Sequence, residues 1–194
     1  FDQQVKALQG LLKIKSVECI GENRTPFGQG TRDCLDYCLK LGKEMGFKAV
    51  NLHDRCGYLE YGDGEEMIAV LGHLDVVPEG TGWIHDPYGA EIDGDRLYGR
   101  GAIDDKGPMM AALYALKAAV DSGASLKRRV RVIFGLNEET GCACMQHYVN
   151  CGEEQPVLGF TPDGDFPLIN GEKGICAAYY TFTLGGSIKR FSGG

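Results

Sequence analysis

Apolar residues recur along this chain in two spacings, one helical and one extended. "DQQVKALQGLL" (2–12) has the helical spacing and predicts an amphipathic helix. "QGTRDCLDYCLKLGKEMGF" predicts a second, with Leu35, Leu39 and Leu41 on or near one face and Gly46 as a stop. "FKAVNL" and "CGYLEYG" alternate like strands, with "HDR" as a tight connection. "EEMIAVLGH" and "RRVRVIFG" are near-continuous apolar runs of strand length, the pattern of strands covered on both faces. "GPMMAALYALKAAVDSG" is the clearest helix, with Pro108 near its first turn and Gly123 closing it. "CACMQHYVN" reads as a helix, "PVLGF" as a strand and "GICAAYYTFTLGG" as a long β segment, whereas "DGDRLYGRGAIDDKG" reads as loop and short strand. Strands alternating with helices predict an α/β layered domain with a mostly parallel central sheet.

Composition narrows the partners. The chain has 194 residues, 43% of them hydrophobic, enough to bury one full core. A net charge of -7 argues against nucleic acid or an anionic membrane as the main partner. No apolar run approaches the roughly 18–20 residues that span a bilayer. The start, "FDQQVKALQG", carries no basic stretch followed by an apolar one, so no secretory signal is visible. The eight cysteines are scattered without a C-x-x-C. A zinc knot from Cys34, Cys38, Cys142 and Cys144 competes with free, reduced, mostly buried thiols, and the scatter favours thiols. Together these features suggest the cytoplasm.

Acidic residues and histidine collect where strands pass into loops. His73 and Asp75 follow "MIAVLG", Glu138 and Glu139 follow "VRVIFGLN", and Asp163 follows "PVLGFTP". Asp104 and Asp105 precede the clearest helix. Each has an ordinary reading: a satisfied strand-end histidine, a helix N-terminal charge, a cap at Asn137, a turn at "TPDGD". Their joint occurrence changes the balance, because ligands bind outside the carboxyl ends of strands in open α/β sheets. Carboxylates crowded there repel unless cations neutralise them. One histidine with several carboxylates suits a divalent metal such as zinc or manganese.

"GHLDVVPEG", "GWIHDPYGAEIDGDRLYGRGAIDDKGP", "NEETG" and "TPDGDFP…GEKGI" resemble, in order, the signature blocks of the co-catalytic zinc exopeptidase family. "GAIDDKGP" is most similar to the Xaa-His dipeptidase (carnosinase-like) branch. The resemblance implies a three-layer zinc-exopeptidase-like catalytic domain, α/β in class, with a largely parallel central sheet and helices on both faces. It implies that His73 and Asp163 bind a first metal, that Asp104 bridges two metals, and that Glu139 binds the second. Glu138 becomes the general base, a choice between adjacent glutamates that the residues alone leave open. Asp75 becomes the carboxylate that orients the His73 ring. The expected cofactors are two divalent ions, zinc first, with manganese or cobalt as alternatives, and the expected substrate is a small peptide. Two such ions about 3.5–4 Å apart lower the pKa of a shared water from about 15.7 toward about 7. A cis Asp104–Asp105 peptide is also implied.

Other parts of the pattern depart from the family. Its second metal takes a late histidine, and none of His53, His85 and His147 matches it. "LGGSIKRFSGG" resembles the opening of the family's inserted lid domain. Residues 1–176 are therefore expected to be the N-terminal part of the catalytic domain, and 177–194 the start of the lid. A chain of this length is expected to hydrolyse dipeptides poorly, and to expose apolar surface that other parts of the protein would cover. An N-acyl amino acid deacylase or carboxypeptidase of the same family is the alternative, followed by a non-catalytic metal-binding relative, which would have no need of Glu138. A dinucleotide-binding module rests only on the lone Gly-x-Gly of "YGRGAID" and is set aside.

Overall fold

The computed structural model describes residues 1–21, 25–165, 168–171, 173–174, 176, 178, 180–184 and 187–190. It divides into two compact units, Phe1–Asp163 and Gly164–Gly194. In the first unit the elements run α1 (Asp2–Leu12), α2 (Gln29–Glu44), β1 (Lys48–Leu52), β2 (Cys56–Tyr61), β3 (Met67–His73), β4 (Glu91–Asp93), β5 (Arg96–Tyr98), α3 (Lys106–Asp121), β6 (Arg129–Gly135), α4 (Ala143–Asn150) and β7 (Leu158–Phe160). β4 and β5 form a separate antiparallel ribbon.

The central sheet has five strands in the order β1-β2-β6-β3-β7. β3 pairs in parallel with both β6 and β7, whereas β2 is antiparallel to β1 and to β6. Only β2 runs against the rest, so the sheet is largely parallel as expected. The row Leu52, Cys56, Gly135, His73 crosses it from β1 to β3. That row sets the carboxyl ends of β1, β6 and β3 level.

Side-chain alternation separates two layers of helices. Val70, Val132, Phe134 and Leu59 share one face, where they meet α2 and α3 in a core with Leu35, Leu39, Met109 and Leu113. Gly42 of α2 lies directly over the Leu59 side chain, a site with no room for a Cβ, so the helix seats close to the sheet. The opposite face carries Tyr58, Glu60 and Arg131, with α4 over them. Arg131 is buried, holding Glu60 at 2.6 Å, Glu153 at 2.9 Å and the Tyr148 hydroxyl at 2.6 Å, with its guanidinium 3.8 Å from the Tyr58 ring centroid.

The predicted elements appear with small shifts. α2 ends at Glu44, just before Gly46, which takes a left-handed φ of 89°. β3 is less covered than its apolar run predicts, because Leu71 is 36% exposed on a face where α4 is only eight residues long. Of the long β segment predicted over 174–186, only Thr181–Leu184 is strand among the described residues: it forms β8 in the second unit and pairs antiparallel with β9 (Ser187–Arg190), whereas residues 174, 176, 178 and 180 are not strand. Residues 175, 177, 179 and 185–186 of that prediction, and "FSGG" (191–194), lie outside the described residues. All eight cysteines are unpaired: Cys34, Cys38, Cys56 and Cys144 are buried, and the other four are exposed, a larger share than expected. No metal-binding group among the described residues includes Cys34, Cys38, Cys142 or Cys144. Among the described residues no helix is long and apolar enough to cross a membrane.

The Glu60–Arg131 pair gives a stability prediction. Burial opposes the Glu60 charge, but Arg131, with Lys48 and Arg129, overcomes it and holds the carboxyl below its usual value. Arg131→Met should lower unfolding stability by about 3 kcal/mol at neutral pH, since Glu60 loses its closest partner in a buried site. A lowered carboxyl contributes stability above its unfolded pKa and loses it as pH falls through the folded value. The gap between wild type and variant in urea unfolding should therefore narrow below about pH 4.

Candidate active site

The site begins at the last residue of β3. His73 is 1% exposed, and its Nδ1 lies 2.9 Å from the backbone carbonyl of Asp75. A carbonyl only accepts, so Nδ1 carries the proton and donates it. Nε2 faces carboxylates: Asp104 Oδ1 at 2.9 Å, Asp163 Oδ2 at 3.4 Å and Glu138 Oε2 at 3.8 Å. This buried nitrogen nevertheless makes no hydrogen bond. The donor atoms of His73, Asp104 and Asp163 all lie within 4.8 Å of one another, as atoms around a common cation would.

The loop after β6 is held from below by Asp75. This buried carboxylate accepts from the Glu138 N–H through one oxygen and from the Glu139 N–H through the other, each at 3.1 Å. Its Oδ1 also sits 3.4 Å from His73 Nδ1. The expected orienting role thus divides: the Asp75 carbonyl fixes the His73 ring, and its carboxylate fixes the two glutamates. β3 ends at His73, so strand alternation does not govern Asp75. Asn137 closes the loop, accepting from Ala143 N–H at 2.7 Å and donating to Glu18 at 2.8 Å and to Thr140.

Asp105 is a residue that the sequence pattern left without a role. It is fully buried, and its Oδ2 accepts from the His73 backbone N–H at 3.2 Å. The Asp104–Asp105 peptide is cis, as the resemblance implied. The bond lies between the exposed Asp104 carboxylate, beside His73 Nε2, and the buried Asp105 carboxylate, under the His73 backbone. Gly72 leaves room for this, because a Cβ there would meet Asp105 Oδ2 and Met109. The repeated acid of "DDKG" was the only visible signal.

Electrostatics follow from crowding. Burial opposes charge on His73, but Asp75 and Asp105 outweigh it and push the ring to about 10. Burial, then Asp163, Asp75 and Asp104, push Glu138 up, His73 acting against them. Burial and then Asp104 push Glu139 up, and its Oε1 is buried without a hydrogen bond. Burial drives Asp105 to about 7. Of the residues expected to act, His73, Asp104, Asp163 and Glu138 come together directly. Glu139 stands beside them with Asp104 as its strongest charged neighbour, and it is not in the tight three-atom group. His85 is a loop residue as expected, bonded to Glu91 at 2.9 Å and stacked on Tyr98.

Residues 69–184 match the sequence pattern of peptidase family M20/M25/M40. The chain belongs to that family. Among its M20 relatives is YtjP of Bacillus subtilis, provisionally named a dipeptidase, 48% identical over 90% of this chain and 38% of its own length. A Staphylococcus haemolyticus protein with the same provisional name is 41% identical over 89% of this chain and 37% of its own. This M20 chain therefore spans less than two fifths of the length of those relatives. The M20 metallo-carboxypeptidase Sso-CP2 of Sulfolobus solfataricus superposes with a TM-score of 0.72 at 26% identity, covering 85% of this chain and 38% of that one. Human carnosine dipeptidase 1 does so with a TM-score of 0.65 at 25% identity, over 77% of this chain and 35% of its own.

The donor set suits a divalent cation: one imidazole nitrogen stripped of hydrogen bonds, surrounded by carboxylate oxygens. A cation bound there displaces the proton that the raised His73 ring otherwise holds up to about pH 10. Zinc affinity should therefore rise with pH through neutrality, with protons released on binding. Calorimetry in buffers of different ionisation enthalpy should show that release at pH 7, and it should shrink as pH approaches 10.

Proposed function

We propose that this chain is the N-terminal part of the catalytic domain of a metal-dependent dipeptidase. In this reading residues 1–176 belong to the catalytic domain and 177–194 open an inserted lid domain. The observation that carries it is His73 Nε2, buried and without a hydrogen bond among the oxygens of Asp104, Asp163 and Glu138. Dipeptidase-named relatives support the substrate class. The unpaired thiols support a reducing compartment, the cytoplasm.

His73, Asp104 and Asp163 would hold one divalent ion, and Asp104 with Glu139 part of the shell of a second. Zinc fits this mixed nitrogen and oxygen set, with manganese or cobalt as substitutes. A bound divalent ion supplies positive charge that polarises a peptide carbonyl and acidifies a water. Glu138 is the general base: it takes the proton of the attacking water and delivers it to the leaving amine nitrogen as the C–N bond breaks. Its raised pKa suits both halves of that transfer, since a carboxylate nearer neutrality both accepts and returns a proton. Asp75 fixes the backbone of Glu138 and Glu139 by accepting from both N–H groups.

The test uses the full-length protein with Xaa-His dipeptides, β-alanyl dipeptides and N-acetyl or N-succinyl amino acids. Hydrolysis of dipeptides is expected, and cleavage confined to acylated amino acids would replace this reading with a deacylase. Glu138→Gln should lower kcat by about 10²–10⁴-fold while metal content is unchanged. Loss of metal in that variant would mean that the roles of Glu138 and Glu139 are exchanged. The 194-residue chain alone should turn over dipeptides poorly even with added zinc, because Asp104 and Glu139 by themselves leave a second ion underliganded.

A further inference from the structure

A second cluster of metal-binding side chains lies in the same unit, away from the carboxylates. His53 Nδ1 and His147 Nε2 are 3.1 Å apart, Cys151 Sγ is 3.4 Å from His147 Nε2, and it is 4.0 Å from His53 Nδ1. All three atoms fall within 4.8 Å of one another. We propose that His53, His147 and Cys151 form a zinc site that fastens the β1–β2 turn to the end of α4.

The distances fit the ion. Zinc binds imidazole nitrogen at about 2.0–2.1 Å and thiolate sulfur at about 2.3 Å, so tetrahedral geometry separates two nitrogens by about 3.3 Å and a nitrogen from a sulfur by about 3.6 Å. The nitrogen–sulfur separations of 3.4 and 4.0 Å bracket their value, the nitrogen–nitrogen separation of 3.1 Å is slightly under its own, and the three bond lengths can be met together. Two imidazoles and one thiolate leave a fourth position for water or another ligand, and their softness favours zinc over magnesium or calcium.

Both supporting elements have defined local geometry. His53 and Asp54 are the central residues of a tight turn, with φ of 58° and 56° and an Arg55 N–H bond to the Leu52 carbonyl at 3.2 Å. That is the left-handed kind of turn that suits a hairpin. Asn51 and Asp54 brace it with reciprocal bonds of 2.8 Å. His147 and Cys151 are four residues apart at the end of α4, hence on one side of the helix, and the Cys151 N–H still bonds to the His147 carbonyl at 2.9 Å. Cys151 loses its proton to solvent on binding.

The site is separate from the one at His73. His73 and Leu52 occupy one row across β3, β6, β2 and β1, and strands lie about 4.8 Å apart, which separates the two by about 14 Å along the sheet edge. His73, Asp104 and Asp163 contain no sulfur, so a thiolate signal does not arise from that ligand set, and its loss in Cys151→Ala separates Cys151 from the other exposed thiols.

Cobalt(II) added to the metal-free protein should give a near-ultraviolet thiolate-to-metal charge-transfer band. The band should survive His73→Ala, and it should vanish in Cys151→Ala and weaken at least tenfold in His147→Ala at subsaturating cobalt. Zinc should also slow alkylation of Cys151 by iodoacetamide about tenfold, read by peptide mass spectrometry, with exposed Cys19 as the internal control. No band, a band unchanged in Cys151→Ala, or equal alkylation of Cys151 with and without zinc would each overturn the site. Far-ultraviolet circular dichroism of each variant separates loss of the ligand from loss of the fold. All three residues are at least partly exposed, so the variants should stay folded.

Discussion

Two peptide N–H groups donate to one buried carboxylate, and the geometry of the edge follows from that pair of bonds. Asp75, after β3, receives Glu138 and Glu139, after β6. Parallel pairing first brings the two strand ends level, and Leu74 N–H then bonds to the Gly135 carbonyl at 2.9 Å. With the loops tied in this way, adjacent glutamates present different surfaces without having to reorganise.

The cluster above that support is short of positive charge. Lys106 follows Asp104 and Asp105 directly and is fully buried, yet its ammonium turns the other way. It donates to the carbonyls of Leu11, at 3.3 Å, and Ile14, at 2.8 Å, closing the end of α1. Cations near a helix C-terminus interact favourably with its free carbonyls. The lysine thus anchors α3 to α1 and leaves the acids to His73. Burial raises the Glu138 and Glu139 pKa values, and the neighbouring acids, which one imidazole cannot neutralise together, raise them further; the same crowding suits the site to divalent ions.

The far face of the sheet uses different chemistry. Arg131 draws Glu60, Glu153 and Tyr148 together beneath α4, so ionic and aromatic contacts add to the apolar packing of Cys144 and Tyr148 in holding a short helix. The same helix ends at Cys151, beside His53. Its reach is limited, and Leu71, Val157, Leu158 and Phe160 stay exposed in a chain that covers 38% of its Bacillus subtilis relative.

Much of this was legible in the order of residues. Apolar runs in β3 and β6 marked the central strands, and the spacing in α3 marked its helix, because burial demands a period and the period is written locally. His73, Glu138, Glu139 and Asp163 were visible as acids and histidine at strand ends and Asp104 as an acid just before a helix, and the motif blocks made them a set. Asp105 was not, because its role depends on reaching the His73 N–H and on the space above Gly72. Nor was the division of Asp75 into a carbonyl for His73 and a carboxylate for the glutamates, since that needs two loops far apart in sequence to meet. His53, His147 and Cys151 read separately as turn, helix surface and spare thiol. Their meeting depends on where β1 lies in the sheet and how α4 crosses β2, and long-range contacts of that kind are decided by tertiary packing, with no local pattern to announce them.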